Sequence, residues 1–376
     1  MSYSAEISCD NYENLIVSGQ ITGTTFVETI GNFLPMFSLS FTDDDFDKLK
    51  YFNELNPLNM VYHIDDVTLG NKFVIKQSVP DITDVSYAMT LGGYLNVFDY
   101  LKGTPKVPYV SGTSVEAIQK IASAYFNTVE MSNLKTQDTM NWLHNGMSAR
   151  GFIQDIWKHM YSPDTLPLIG ITLDGKFKVS DIVSLINQEP KFKFANSFEE
   201  GYEVYIEAKP LDNSLKNNNL FGYKTEREIM LEDTLEVITS TVKPEVIMTT
   251  SDQMNQQEIP TKKLAPMFQP DCVHRHWYEA YHQNIVRWSS LNTTAITWTT
   301  HDNPLPLEIM DLIYIELPES EIGNKSYDGN YIVSKKTLNF SEDGDLITTY
   351  VGIREVNQNT SKSEESKKGE VTNYRI

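Results

Sequence analysis

The densest run of potential ligands in the chain is Cys272-Val273-His274-Arg275-His276, with His282 following on a helical pattern. Thiolate and imidazole suit zinc, and alternate residues of an extended segment can converge on one ion. The spacing matches no common zinc module, however, and Trp277, Tyr278 and Tyr281 beside it read as an aromatic packing surface. The expectation is therefore no bound metal, with Cys272, His274, His276 and His282 as weak candidates. Thr42-Asp43-Asp44-Asp45-Phe46-Asp47 gathers carboxylates, but so local a run reads as a solvated loop or a helix start. Glu342-Asp343-Gly344-Asp345 supplies too few oxygens at calcium-loop spacing and reads as a hairpin turn. The adjacent carboxylates Asp65–Asp66, Glu199–Glu200 and Glu364–Glu365 are expected on solvated faces. No nucleophile elbow, zinc-protease helix, phosphate loop or dinucleotide fingerprint appears. These observations argue against an enzyme and imply no cofactor.

Composition narrows the class further. The chain has 376 residues, of which 40% are hydrophobic, so a substantial core is available. Fifty-one acidic residues stand against 31 basic ones, a formal charge of -20. Such a surface is a poor grip on nucleic acid, whose non-specific binding rests on Lys and Arg, although DNA could slide past it. Two cysteines, Cys9 and Cys272, make no disulfide framework and fit a reducing compartment. The opening MSYSAEISCDNYENL lacks a basic stretch leading into an apolar one, and no apolar run is long enough to span a bilayer. No membrane insertion is expected.

The elements that must position these residues follow from periodicity. Leu15–Val17, Thr25–Ile30, Phe37–Phe41, Met60–His63, Phe73–Ile75 and Tyr87–Leu91 are short strand candidates between turn signals. Thr113-Ser114-Val115-Glu116 is a capping box that opens a helix with Val115, Ile118, Ala122 and Tyr125 on one stripe. Ser148 caps a second helix carrying Phe152, Ile156 and Met160, with Ile153 and Trp157 beside them. Leu168–Thr172 and Phe177–Val179 flank Asp174-Gly175 as a hairpin. Alternation returns at Tyr202, Val204 and Ile206, then at Ile229, Leu231 and Leu235. Trp277, Tyr281, Ile285 and Trp288 form a helical stripe. The last hairpin carries Ile332, Leu338 and Phe340 on one face, interrupted by Ser334 and Lys336, and Ile347, Thr349, Val351 and Ile353 on the return strand. From Asn357 onward the chain is too polar to order itself and reads as a flexible tail.

The order of these elements resembles a known family. The central stretch TMNWLHNGMSARGFIQDIWKHMYSPDTLPLIGITLDGKFKVSDIVSLINQEPKF is similar to the trimeric baseplate hub proteins of contractile-tailed bacteriophages, related to the late control protein D group. Gly329, Tyr331 and Val333 with the return strand Leu346–Arg354 match the family's closing element.

The resemblance implies an α+β chain with two tail-tube-like β-barrel domains and an outer inserted α+β domain. It places the first barrel at residues 1–105 and the second at 197–240 with 301–355. The outer domain then comprises 106–196 and 241–300, and 356–376 is the tail. It implies a homotrimeric ring that adapts a sixfold tail tube to a threefold central spike and lets DNA through. The implied partners are the spike, the tube and other baseplate proteins, the location the virion tail baseplate, and the place of assembly the host cytoplasm. Tyr374 and Ile376, the largest apolar side chains near the end, are the expected tail anchors. A carbohydrate- or receptor-binding tail protein is the alternative, motivated by 20 Tyr and 5 Trp that could stack on sugars, with a cell-wall hydrolase behind it.

Overall fold

The computed structural model describes residues 3–10, 12–64, 66–97, 99–132, 134–212, 220, 223–243, 260–301, 306–318, 327–342 and 345–354. Among the described residues the protein is mostly β, with 49% in strands and 16% in helices. Most strands join one large sheet whose path runs along two successive lobes of the molecule.

In the first lobe the path runs Tyr12–Val17, Tyr3–Cys9, Leu58–Ile64, Val67–Ile82, Tyr87–Leu95, Met36–Asp43 and Ile21–Thr29, each antiparallel to the next. Period-2 burial is clear in Leu58–Ile64, where Leu58, Met60, Tyr62 and Ile64 are buried and the residues between them half-buried. The sheet curls enough that Tyr62 touches rings on distant strands. Its ring centroid lies 5.4 Å from Phe26 and 4.6 Å from Phe340. Its hydroxyl shares a 2.6 Å hydrogen bond with Thr24. All six strand candidates of this region are strands, but Val67–Ile82 is far longer than its apolar centre Phe73–Ile75. Tyr3–Cys9, too short a period to read beside the chain's start, is a further strand.

The second lobe runs Glu203–Val204, Phe192–Ala195, Leu312–Ile315, Gly329–Ser341, Leu346–Arg354, Thr294–His301 and Glu207–Asp212. Its two ends are consecutive in sequence. The amide of Tyr205 donates to Ala195 at 3.1 Å and that of Ile206 donates to Thr299 at 2.8 Å, so one run of chain bonds to both ends of the path. Trp298 stacks on Tyr350 at 5.1 Å inside this lobe, with Phe194 at 5.6 Å.

One strand serves both lobes. Gly329–Ile332 pairs with Leu312–Ile315, whereas Lys335–Ser341 pairs with Gly23–Thr29. The register slips between Val333 and Lys335, a bulge that advances the side-chain phase by one residue. Ser334, which interrupts the apolar face in the sequence, sits at that slip. Its carbonyl accepts from Ile30 at 2.9 Å and its hydroxyl donates to Val351 at 3.0 Å. Tyr331, Ile332 and Val333 therefore enter the second core, while Leu338 and Phe340 enter the first.

The segment between the lobes folds as an α/β unit. Helix α1 (Ser114–Ala122) has the expected capping box, with Thr113 accepting from the Glu116 amide and Glu116 from the Thr113 amide. Its buried stripe is Ala117, Ile118, Ile121 and Ala122, with Val115 and Tyr125 half-buried at the margin. Helix α2 (Ala149–His159) starts at Ser148 and buries Phe152, Ile153 and Ile156. The hairpin Pro167–Ile171 with Lys176–Asp181 turns at Gly175, whose φ of 81° a side chain would disfavour. The parallel strand Thr128–Ser132 completes its sheet, and α3 (Ile182–Ile186) follows, capped by Asp181.

Several features differ from the sequence reading. Lys224–Leu231 and Val237–Val242 do not join the second lobe with 301–355. They form a separate four-stranded sheet with Thr261–Lys263 and Met267–Gln269, backed by helix α4 (Trp277–Leu291). Conversely, Phe192–Ala195 and Thr294–His301 pair into the second lobe. At 202–206 the phase is inverted: Tyr205 is buried, whereas Val204 and Ile206 are exposed, because the chain there passes between two strand partners. Leu235 lies in a turn and is 68% exposed. The buried positions of α4 are Trp277, Ala280, His282, Val286 and Leu291; Trp288, expected on the stripe, is exposed. The hairpin residues Asp343 and Gly344, and Tyr374 and Ile376, lie outside the described residues.

Candidate functional site

The four weak metal candidates do not assemble. Cys272 is exposed. His274 stacks on Tyr161 at 3.9 Å, and the His276 ring lies 5.8 Å from it, 3.4 Å from the Glu279 carboxylate through Nδ1. His282 is buried between the small sheet and α4, where Nδ1 meets the Ser240 hydroxyl at 2.8 Å and Nε2 meets Thr225 at 3.1 Å. Both ring nitrogens thus have hydroxyl partners. Burial, aided by Arg227, pulls this imidazole down to about 4, so it is neutral at physiological pH. Among the described residues no three metal-ligating side chains come together.

The acidic run at 43–47 is a helix start. Asp45 accepts from the Asp47 amide at the head of the short helical segment Phe46–Tyr51. Asp43 accepts from the amides of Asp44 and Asp45 and pairs with Lys48 at 2.7 Å. Asp328, at the start of the last hairpin, pins the backbone: its carboxylate accepts from Leu317 at 2.8 Å, while its carbonyl accepts from the buried Arg354 at 2.7 Å.

Sequence periodicity missed a charge cluster where the two lobes meet the α/β unit. Lys176 and Lys178, on one strand of the hairpin, reach Glu308 of the second lobe at 2.6 and 2.8 Å. Asp311, one turn further on, accepts Lys191 at 2.8 Å and lies 3.6 Å from Lys178. Burial opposes the Glu308 charge, but the two ammonium groups outweigh it and hold the carboxyl at about 2. On the other side of the hairpin, the Leu173 amide donates to Glu28 of the first lobe. Glu28 is buried opposite Lys336 on the shared strand, its second oxygen without a hydrogen-bond partner, and burial pushes its carboxyl up despite Lys336. The backbone meets here as well. Gly31 donates to Ile169 at 2.6 Å, and a Cβ on Gly170 would stand 2.6 Å from the Met310 sulfur. A hint lay in the sequence, in the Lys176-Phe177-Lys178 alternation and in Glu308 and Asp311 at turn spacing, but it named no partner. Chemically this cluster is a clamp: it fixes three units together and offers no nucleophile or open ligand position.

Exposed apolar surfaces among the described residues include one on a strand of the first lobe and one on the small sheet. Beyond Ile75 the strand Val67–Ile82 pairs only with Tyr87–Leu95, and no strand among the described residues pairs its outer edge. This arm exposes Val79, Ile82 and Val85 at 51%, 56% and 77%. The small sheet exposes Met230, Val237 and Phe268 on its outward side.

No protein-family model matches the sequence, and no curated protein does. Solved structures do match. The tail protein of Neisseria meningitidis superposes with a TM-score of 0.63 over 94% of this chain and 97% of its own, at 11% identity. The 43 kDa tail protein of prophage MuSo2 from Shewanella oneidensis gives 0.63 over 94% and 98%, at 9% identity. The likeness spans both lobes and the α/β unit, and the resemblance read in the sequence holds at the level of architecture: the chain has the fold of phage tail proteins.

Proposed function

We propose that this chain is the structural hub of a phage tail baseplate, a homotrimeric ring between the tail tube and a central spike. The observation that carries this reading is the strand Gly329–Ser341, which belongs to both lobes and joins them in one continuous sheet. On this reading each lobe is a tube-like β-barrel, the first built on residues 1–105 and the second on Phe192–Ala195, Glu203–Val204, Glu207–Asp212, Thr294–His301, Leu312–Ile315, Gly329–Ser341 and Leu346–Arg354. The α/β unit, with the small sheet and α4, is the outer domain. Three chains then present six barrels, so that a threefold assembly meets a sixfold tube without a change of subunit. The free edge of the arm supports it, because an unpaired strand of this length is an aggregation hazard unless a neighbour covers it.

In this assembly the partners are other copies of the chain, the spike, the tube and further baseplate proteins. The excess of acidic residues lets DNA pass without sticking. The role is structural rather than enzymatic, in a virion tail assembled in the host cytoplasm. Tyr374 and Ile376 would anchor the polar tail on the spike. Class averages of the purified protein by electron microscopy test the reading. Rings with threefold or pseudo-sixfold outline are expected; isolated two-lobed monomers at high concentration would contradict it.

A further inference from the structure

The outward face of the small four-stranded sheet carries an apolar row that crosses three strands. Phe268 pairs with Met230 and Met230 with Val237, so their side chains stand side by side, 48%, 41% and 64% exposed. The inward face is occupied differently: Thr225, Ile229 and Ser240 are buried there, with His282 of α4 bonded to the two hydroxyls. At the end of the row the turn after Leu231 holds Leu235 at a φ of 56°, with its side chain in solvent. Acidic residues rim this end. Glu228, Glu232, Asp233, Glu236 and Asp271 are all exposed, and lost hydration together with Glu232 and Asp233 pushes the Asp271 carboxyl up. On the same face Lys224 and Lys263 lie toward the far end of the sheet beside Glu226, which Lys224 pairs at 2.7 Å.

We propose that this face docks a segment of a different protein in which basic side chains flank apolar ones. Apolar side chains of the partner would cover the Phe268–Met230–Val237 row, and its Lys or Arg residues would meet the acidic rim. Charge selects against a second copy as the occupant, since this chain carries 51 acidic residues against 31 basic ones. The inference does not depend on the hub reading, because the row and its acidic rim belong to a single chain.

The test uses the full-length protein and a fluorescein-labelled dodecapeptide of alternating Val and Lys, with an alternating Val/Glu dodecapeptide as control, read by anisotropy. The Val/Lys peptide is expected to bind and the control not. Two variants should each weaken binding about tenfold or more: Val237→Ser with Phe268→Ser, and Asp233→Asn with Glu236→Gln. All four positions are exposed, and far-ultraviolet circular dichroism checks that both variants fold. Equal binding to the Ser double variant would reduce the interaction to adventitious charge attraction and overturn the proposal. Failure of the Val/Lys peptide to bind would do the same. So would a drop in the self-associated mass of the Ser double variant alone, which would make a second copy the occupant.

Discussion

Lys178 and Glu308 meet at 2.8 Å across the boundary between the α/β unit and the second lobe, with side chains only 10% and 22% exposed. Lys176 holds the other carboxylate oxygen at 2.6 Å, so Glu308 is the single acceptor on which two strand residues converge. Removing that charge leaves Lys178, its ammonium held up by Asp311 and Glu308 against its burial, with the more distant Asp311 at 3.6 Å and the Ile309 carbonyl at 3.4 Å.

Glu308→Gln is therefore expected to destabilise the protein by about 1–3 kcal/mol, less than a fully buried pair because the cluster keeps some solvent. The pH dependence has a definite sign. A carboxyl held at about 2 contributes stability that is present above its unfolded value and is lost as pH falls toward 2. Urea unfolding at pH 7 and pH 3 checks both. The gap between wild type and Glu308→Gln should narrow at the lower pH, and an unchanged gap would remove the ion pair from the account.

Glu28 should show the opposite trend. Its carboxyl is pushed up by burial, so its contribution is fully present below the unfolded value near 4.5 and is lost as pH rises through the folded value. Glu28→Gln does not titrate. Its stability relative to wild type should therefore improve as pH rises above 4.5. A difference independent of pH would mean that Glu28 is not desolvated in solution.

How far these groups were legible in the sequence differs by kind. The capping box at Thr113, the Ser148 cap and the Asp174-Gly175 hairpin were legible because each is a local pattern with one cheap solution. The bulge at Ser334 was visible only as an interruption of an apolar face. Its meaning, a change of strand partner, depends on Thr29 and Ile313, which lie 305 and 21 residues away in sequence. The inverted phase at Val204 to Ile206 has the same origin, since a chain passing between two sheet edges follows neither edge's alternation. The outer half of Val67–Ile82 was illegible because nothing buries it, leaving its exposed strand without a hydrophobic period. Glu28, Lys178 and Glu308 are ordinary surface letters until the fold brings them together.

His282 offers a check on the aromatic helix and the metal question together. An imidazole lowered to about 4 from 6.5 contributes stability that is present above the unfolded value and is lost as pH falls from 6.5 to 4. The expected loss is about 2–3 kcal/mol. His282→Ala should cost a similar ~2–4 kcal/mol by leaving the Ser240 and Thr225 hydroxyls unpaired over a cavity. Cys272→Ser should melt with wild type. Stoichiometric zinc in protein purified without chelator, lost in Cys272→Ser, would refute this assignment.

The arm predicts a separation of folding from assembly. Val79→Asp with Ile82→Asp changes two side chains that are exposed in the single chain, so the secondary structure and monomer stability should stay within about 0.5 kcal/mol of wild type. Association should fail, because the charges would enter a subunit contact unpaired. Sedimentation velocity distinguishes the two, and a double variant that assembles normally would take the arm out of the interface.

The most direct test of the hub assignment is the mass of the purified chain by light scattering coupled to size exclusion, across a concentration series at physiological salt. The account predicts a species of about three times the 42.9 kDa chain mass that dominates at high concentration. A species that stays at the mass of one chain throughout the series would contradict it.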